Sequence, residues 1–250
     1  MKNFFTVLGG MGTMATESYI RLLNKRTPTQ NDQDYLNYII VNHASVPDRT
    51  AYILDNSQPN FLPDLLEDVK QQSILNPKFM VLICNTAHYF YDVLSSSTNV
   101  PLLNMPHIAI KELITRYPNA KRIGLIATEG TLHDNVYKNE LLRYGINPII
   151  GDYHVQRLTM RLIYEYIKEK GIVNASLYHD ILKIMREKYG CEVVILGCTE
   201  LSLANEVASD SEYNVIDAQS IIVDKSIELA ESFRHKSVEE TNLLLKELLK

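Results

Sequence analysis

The stretch Val81-Leu82-Ile83-Cys84 returns in the second half of the chain as Ile195-Leu196-Gly197-Cys198, and each copy is followed within two residues by threonine. Both lie in short runs that are apolar at nearly every position, which reads as a strand buried on both faces of a parallel sheet. Each half therefore ends a strand on a cysteine.

Outward from these two points the halves keep echoing. Val7-Leu8-Gly9-Gly10-Met11-Gly12-Thr13 resembles Leu125-Ile126-Ala127-Thr128-Glu129-Gly130-Thr131, and the separations Thr13 to Cys84 and Thr131 to Cys198 are 71 and 67 residues. Around them, apolar runs alternate with helical patterns. Phe4 to Leu8, Tyr38 to Val41 and Phe79 to Ile83 read as strands; Thr13 to Lys25, Phe61 to Ile74 and Thr86 to Leu94 read as helices. In the second half Arg122 to Ala127, Asn147 to Ile150 and Val193 to Gly197 read as strands. Thr131 to Tyr144, Val155 to Lys168 and a stretch capped by Asn174 and running to Lys188 read as helices.

This rhythm predicts an α/β fold of two similar lobes related by pseudo-twofold symmetry. Each lobe is a mostly parallel sheet flanked by helices, and the active site lies between them. The predicted lobes are residues 1–105 with about 215–250, and residues 106–214. The tail adds a short strand near Asn214, a helix from Asp217 to Phe233, and a capping box, Ser237-Val238-Glu239-Glu240, opening a last amphipathic helix. Its leucines, Leu243 to Leu245, Leu248 and Leu249, are expected to pack on a lobe or a second subunit.

Composition narrows the function. The 250 residues carry a net charge of −5 and a composition 46% apolar, so a basic nucleic-acid surface is not expected and small-molecule partners are favoured. The longest apolar run, Phe79 to Cys84, is far below the ~20 residues of a membrane span, and the N-terminus does not read as a signal peptide. A cytoplasmic protein without membrane association is the expectation. Three cysteines make a disulfide framework unlikely to be the reason for any of them.

Cys84 and Cys198 each stand between a strand and the expected start of a helix, where the helix N-terminus favours a thiolate and can lower a thiol pKa of about 8.5 to roughly 3.5–7.5. A single buried cysteine is usually packing; a matched pair at two strand ends facing one cleft is better read as chemistry. Racemisation needs a base on one face of a carbon and an acid on the other, and two thiols sharing one proton meet that need. Cys191 is read as packing.

Five stretches carry a resemblance: Gly9-Gly10-Met11-Gly12, Pro47-Asp48-Arg49-Thr50, Cys84-Asn85-Thr86-Ala87-His88, Gly124-Leu125-Ile126-Ala127-Thr128 and Gly197-Cys198-Thr199-Glu200-Leu201. Together they resemble the aspartate/glutamate racemase family over roughly Phe4 to Ser226. The resemblance implies a pyridoxal-free amino-acid racemase that needs no cofactor, a homodimer, and a C-terminal segment that returns to the first lobe. It implies Cys84 and Cys198 as the catalytic pair and Arg49 as a carboxylate anchor. Asn85, Thr86 and Thr199 are implied as donors to substrate and Lys168 as a substrate-side cation; Met11, Gly12, Thr128 and Glu200 complete the substrate-binding set. Arg49 has the planar fork that binds carboxylates in pairs of hydrogen bonds. Glu200, where better-known glutamate racemases carry His, points to the aspartate branch, so aspartate leads and glutamate follows as expected substrate.

Rival readings are specific. Gly10-Met11-Gly12-Thr13-Met14-Ala15 fits a dinucleotide pattern, but the acidic residue expected after the second strand is replaced by Asn42 and His43. The glycines then serve better to bring backbone N–H groups to a substrate carboxylate. His88, four residues after Cys84, raises a zinc site, but no further Cys or His has ligand spacing, and no metal is expected. A cysteine-dependent isomerase or lyase of the same superfamily, such as a maleate isomerase, is the nearest alternative enzyme. A ligand-binding relative without turnover is the alternative outside catalysis.

Overall fold

The computed structural model describes residues 1–249 and builds two four-stranded sheets, parallel throughout. In the first half β1 (Phe4–Gly9), α1 (Thr13–Arg26), β2 (Asn37–Asn42), α2 (Arg49–Leu54), α3 (Leu62–Ile74), β3 (Met80–Leu82), α4 (Tyr91–Ser96), β4 (Leu102–Leu103) and α5 (Met105–Arg116) follow in order. The second half runs β5 (Ile123–Ala127), α6 (Glu129–Asp134), α7 (Val136–Leu142), β6 (Ile149–Ile150), α8 (Tyr153–Arg161), α9 (Ala175–Glu187), β7 (Val193–Gly197), α10 (Thr199–Ala208) and β8 (Val215–Asp217). Helices α11 (Ala218–His235) and α12 (Val238–Leu249) end it.

The strand orders β2-β1-β3-β4 and β6-β5-β7-β8 are the same order twice, as the internal echo in the sequence requires. The central strands β1, β3, β5 and β7 are buried at every residue, because helices cover both faces of each sheet. Phe5 lies fully buried with its ring stacked 4.7 Å from that of Phe79, tying β1 to the residue that leads into β3. One apolar core runs between the lobes through β1, α1, α5, β5, β7 and α11.

Several expected elements change form. The helix expected from Thr131 to Tyr144 is two helices, broken at Asn135, which sits in the left-handed region (φ 61°) that asparagine tolerates and bonds its amide to the His133 carbonyl. The helix expected from Val155 starts earlier, at Tyr153, capped by the Asp152 carboxylate, and from Leu162 to Lys168 it widens into a π-helix. A bond from Glu169 N–H to the Tyr164 carbonyl, five residues back, marks the wider turn. The stretch after Cys84 is a 3-10 helix, Thr86–Phe90, before α4 begins. Two helices were not anticipated: α2, capped by Asp48 through the Ala51 N–H, and α5, capped by Asn104 through the His107 N–H.

The tail expected to return to the first lobe from about 215 divides. Val215–Asp217 pairs with β7 as the edge of the second sheet, since Val215 and Ile216 extend the apolar row beside Val194 and Ile195. Asp217 then caps α11, which packs on α1 and α5. The capping box at Ser237 and Glu240 forms in both directions. Leu248 is buried against α11's core while Leu243 faces solvent. Lys250, the last residue of that expected tail, lies outside the described residues. Among the described residues no helix is long and apolar enough to cross a membrane.

Candidate active site

The carboxyl ends of β1, β3, β5 and β7 meet between the lobes. Cys84 and Cys198 line one small buried cavity together with Met11, Arg49, Thr50, Asn85, Thr86, Thr128, Tyr164, Lys168, Thr199 and Glu200. Its volume is about 10 Å³, room for a single water, so the site is held closed. Ten of the eleven expected site residues are in this lining. Gly12 is beside it, in an adjoining open cleft of about 360 Å³ that shares Arg49, Lys168 and Glu200 with the cavity.

Thr50 and Tyr164 were not singled out as site residues. Thr50 follows Arg49 directly, and Tyr164 is four residues before Lys168 and therefore on a neighbouring face of the same helix. Tyr137 was also missed; it stands behind the cavity and donates its hydroxyl to Asn85 Oδ1.

Hydroxyls and close backbone contact join the lobes. Thr86 of the first half bonds Thr128 (3.0 Å) and Thr131 (2.9 Å) of the second, and those two bond each other. At Gly130, a Cβ would come 2.9 Å from the Thr50 Cα, so α6 can lie against α2 only with glycine there.

Arg49 departs from the expected bidentate fork. Its terminal nitrogens donate to the backbone carbonyls of Val46 (3.2 Å), Pro47 (3.0 Å) and Met11 (2.9 Å), leaving the buried Nε free. Burial opposes its charge, but Cys84, Asp48 and Glu200 outweigh burial and hold it firmly cationic. Asn85 Nδ2 is a second buried donor without a partner. Leaving such a group unmet costs about 1–3 kcal/mol, which an anionic acceptor in the cavity would offset.

Around Cys198 the expectation of a helix-stabilised thiolate is overturned. Cys198 is the N-cap residue of α10, but its thiol donates to Glu200 Oε2 at 2.9 Å, and burial followed by the Glu200 charge pushes its pKa well above the ordinary thiol value. The other Glu200 oxygen, Oε1, is 2.6 Å from Lys168 Nζ. Burial works against the Glu200 charge, yet Lys168 holds the carboxyl below its ordinary range, so both members stay ionised. Cys191 is buried outside the cavity lining, in the apolar core beside Gly124, as a packing residue should be.

His88 is not free for a metal. Its Nδ1 bonds the Cys84 carbonyl (2.8 Å) and its Nε2 accepts the Met105 N–H (3.1 Å), so it fixes the Cys84 loop onto α5. Among the described residues no cluster of His, Cys, Asp and Glu could hold a metal ion. Burial pushes the His88 pKa down to about 4. The unfolded chain binds this proton below about 6.5 and the native protein only below about 4, so stability falls as pH drops through that window, by about 3 kcal/mol at most. Urea midpoints at pH 7, 5.5 and 4.5 should record the fall, and His88→Gln should flatten the slope; equal slopes would contradict this account.

Comparison with known proteins follows the same lines. The Asp/Glu/Hydantoin racemase family matches residues 8–225. A glutamate racemase of Clostridium botulinum (strain Alaska E43 / Type E3) is 31% identical over 174 residues, which cover 68% of this chain and 62% of that protein. The broad specificity amino-acid racemase RacX of Bacillus subtilis (strain 168) is 24% identical over 230 residues, 88% of this chain and 95% of that one. In structure, Picrophilus torridus aspartate racemase superposes with a TM-score of 0.74 at 23% identity, covering 90% of this chain and 94% of that one. That likeness speaks for the fold.

Proposed function

We propose, because this chain belongs to the Asp/Glu/Hydantoin racemase family and is a racemase-type isomerase, that it interconverts L- and D-aspartate through Cys84 and Cys198 without pyridoxal phosphate. The observation that carries the reading is the joint lining of one closed cavity by two thiols from opposite lobes, with two unmet donors, Arg49 Nε and Asn85 Nδ2, beside them. The substrate α-carboxylate takes those donors and the α-carbon lies between the sulfurs. Cys198 holds its proton against Glu200, which leaves Cys84 to accept the α-proton in one direction. The carbanion is then protonated on its other face by Cys198, and the pair ends with the proton exchanged between sulfurs. The reverse direction uses the opposite protonation state. A cavity this small opens to admit substrate and closes to exclude water.

One observation favours a second reading, a substrate range that includes neutral side chains: Arg49's terminal nitrogens and Lys168 are already paired inside the protein. Chiral chromatography of L-aspartate, L-glutamate, L-alanine and L-lysine incubated with reduced enzyme separates the two. The leading reading expects D-aspartate to form fastest; faster racemisation of the neutral amino acid favours the second, and no D-product from any of them removes both. The same reading takes the enzyme as a cytoplasmic homodimer.

A further inference from the structure

The outer cleft and the cysteine cavity share three residues, Arg49, Lys168 and Glu200, and the Lys168–Glu200 ion pair stands at their common wall. A Cβ on Gly12 at the cleft side would lie 3.2 Å from Glu200 Oε1 and 3.5 Å from Lys168 Nζ, which puts the pair directly behind the Gly12 backbone. Lys168 is part-exposed, while Glu200 is almost wholly buried. A carboxylate arriving through the cleft meets Lys168 before it can meet either thiol. Lys168 is also the last residue of the π-helix, a segment whose widened turn is common at functional sites. On its inner side Glu200 accepts the Cys198 proton-bearing bond at 2.9 Å and a weaker one from Thr199.

We propose that the Lys168–Glu200 pair is a lock on Cys198 for the direction in which Cys198 is the base: the substrate carboxylate draws Lys168 away, and Glu200, released, takes the Cys198 proton and arms the thiolate. In the other direction the pair stays closed and Cys198 keeps the proton it delivers. The inference rests on the two-thiol reading above. In the arming step the Cys198 S–H bond breaks, its electron pair stays on sulfur, and an O–H bond forms at Glu200 Oε2, with no change in total charge. The lock works because Glu200 is almost wholly buried and Lys168, 2.6 Å away, is the cation that offsets that burial. With Lys168 engaged elsewhere, burial raises the carboxylate's proton affinity toward that of the thiol. The charged and titratable groups around Glu200 come from every neighbouring element: Lys168 and Tyr164 from the π-helix, Arg49 and Asp48 at α2, Cys84 after β3, and Cys198 on its own helix. Of these, Lys168 alone is ion-paired to Glu200.

The test uses the full-length protein in a Cys84→Ala background and follows alkylation of Cys198 by iodoacetamide, read by peptide mass spectrometry at pH 7. Removing a nearby cation should by itself make a thiol less acidic and slow the reaction. The lock predicts the opposite: Lys168→Met alkylates about ten-fold faster than the background. It also predicts that the double variant Lys168→Met/Glu200→Gln loses the gain. Slower alkylation in Lys168→Met, or a double variant as fast as the single, overturns the lock; the second result would show mere opening of the cavity. With Cys84 intact, Glu200→Gln should lower kcat about 100-fold, the usual worth of a positioned proton acceptor, with partial recovery in Glu200→Asp and toward high pH. An unchanged or raised kcat in Glu200→Gln also overturns it. Alkylation needs no turnover, so an inactive wild type with the predicted alkylation pattern would sink the racemase reading and leave the lock standing.

Discussion

Cys84→Ala and Cys198→Ala should each lose racemisation by about 10³-fold or more while keeping the fold. Both side chains are buried at the ends of central strands, and neither forms a disulfide or a structural hydrogen bond that holds a loop. Replacing a small buried thiol by alanine removes one atom and leaves little cavity, so thermal stability should fall by only about 1 kcal/mol. Loss of the proton donor on one face, by contrast, removes a contribution of roughly 10²–10⁴-fold. The two variants should also differ from each other. Each keeps one thiol and therefore one face, so in deuterated solvent each can exchange the α-proton of only one enantiomer, and the enantiomer should be opposite in the two. Chiral chromatography with NMR of the recovered amino acid reads both quantities. A variant that still racemises at a tenth of the wild-type rate would exclude its cysteine from the chemistry.

Gly10→Ala should be the most destabilising single methyl in the molecule. Gly10 has φ 91°, and a Cβ there would stand 2.5 Å from the His43 backbone nitrogen and carbonyl carbon, which cannot step aside as a side chain could. The unfavourable backbone conformation costs about 1–2 kcal/mol and the overlap about 1–3 more, so roughly 2–5 kcal/mol is expected by urea denaturation. Activity should fall with it, because the same turn carries the Met11 carbonyl that holds Arg49. Gly145→Ala is the internal control: φ is 71° but nothing lies within 4 Å, so only the conformational part, about 1–2 kcal/mol, should appear. Equal losses at both positions would refute the argument from overlap.

The strands that build the site were readable because parallel strands buried on both faces are apolar at nearly every residue; β1, β3, β5 and β7 all carry that mark. The internal echo around Cys84 and Cys198 pointed to a duplicated unit, and the strand order repeated in both sheets bears this out. Helices α2 and α5 escaped notice for opposite reasons. Helix α2 is too short to show a period. Helix α5 is apolar on most faces, because it lies in the core between the lobes. The break at Asn135 and the π-turn from Leu162 depend on single hydrogen bonds that leave no periodic signature.

Which residues gather around the cavity was legible in the sequence, and their states were not. Sequence gave no sign that backbone carbonyls would occupy the Arg49 fork, since these come from Met11, Val46 and Pro47, brought together by the turn after β1 and the approach to α2. The acidic neighbour two residues after Cys198 was visible, but a helix N-terminus alone argued for a thiolate. The 2.9 Å bond to Glu200 in a buried setting decides for the thiol instead.

The central claim, that one thiol removes the α-proton and the other delivers a new one, is tested most directly by a single incubation of protiated L-aspartate with reduced enzyme in D2O, stopped early. NMR and chiral separation then give the deuterium content of each enantiomer. The account predicts D-aspartate carrying solvent deuterium at Cα while the remaining L-aspartate is still protiated, because each sulfur serves one face only. Deuterium appearing equally in both enantiomers would mean a single base working on both faces, and D-aspartate that keeps the original proton would contradict exchange between two thiols.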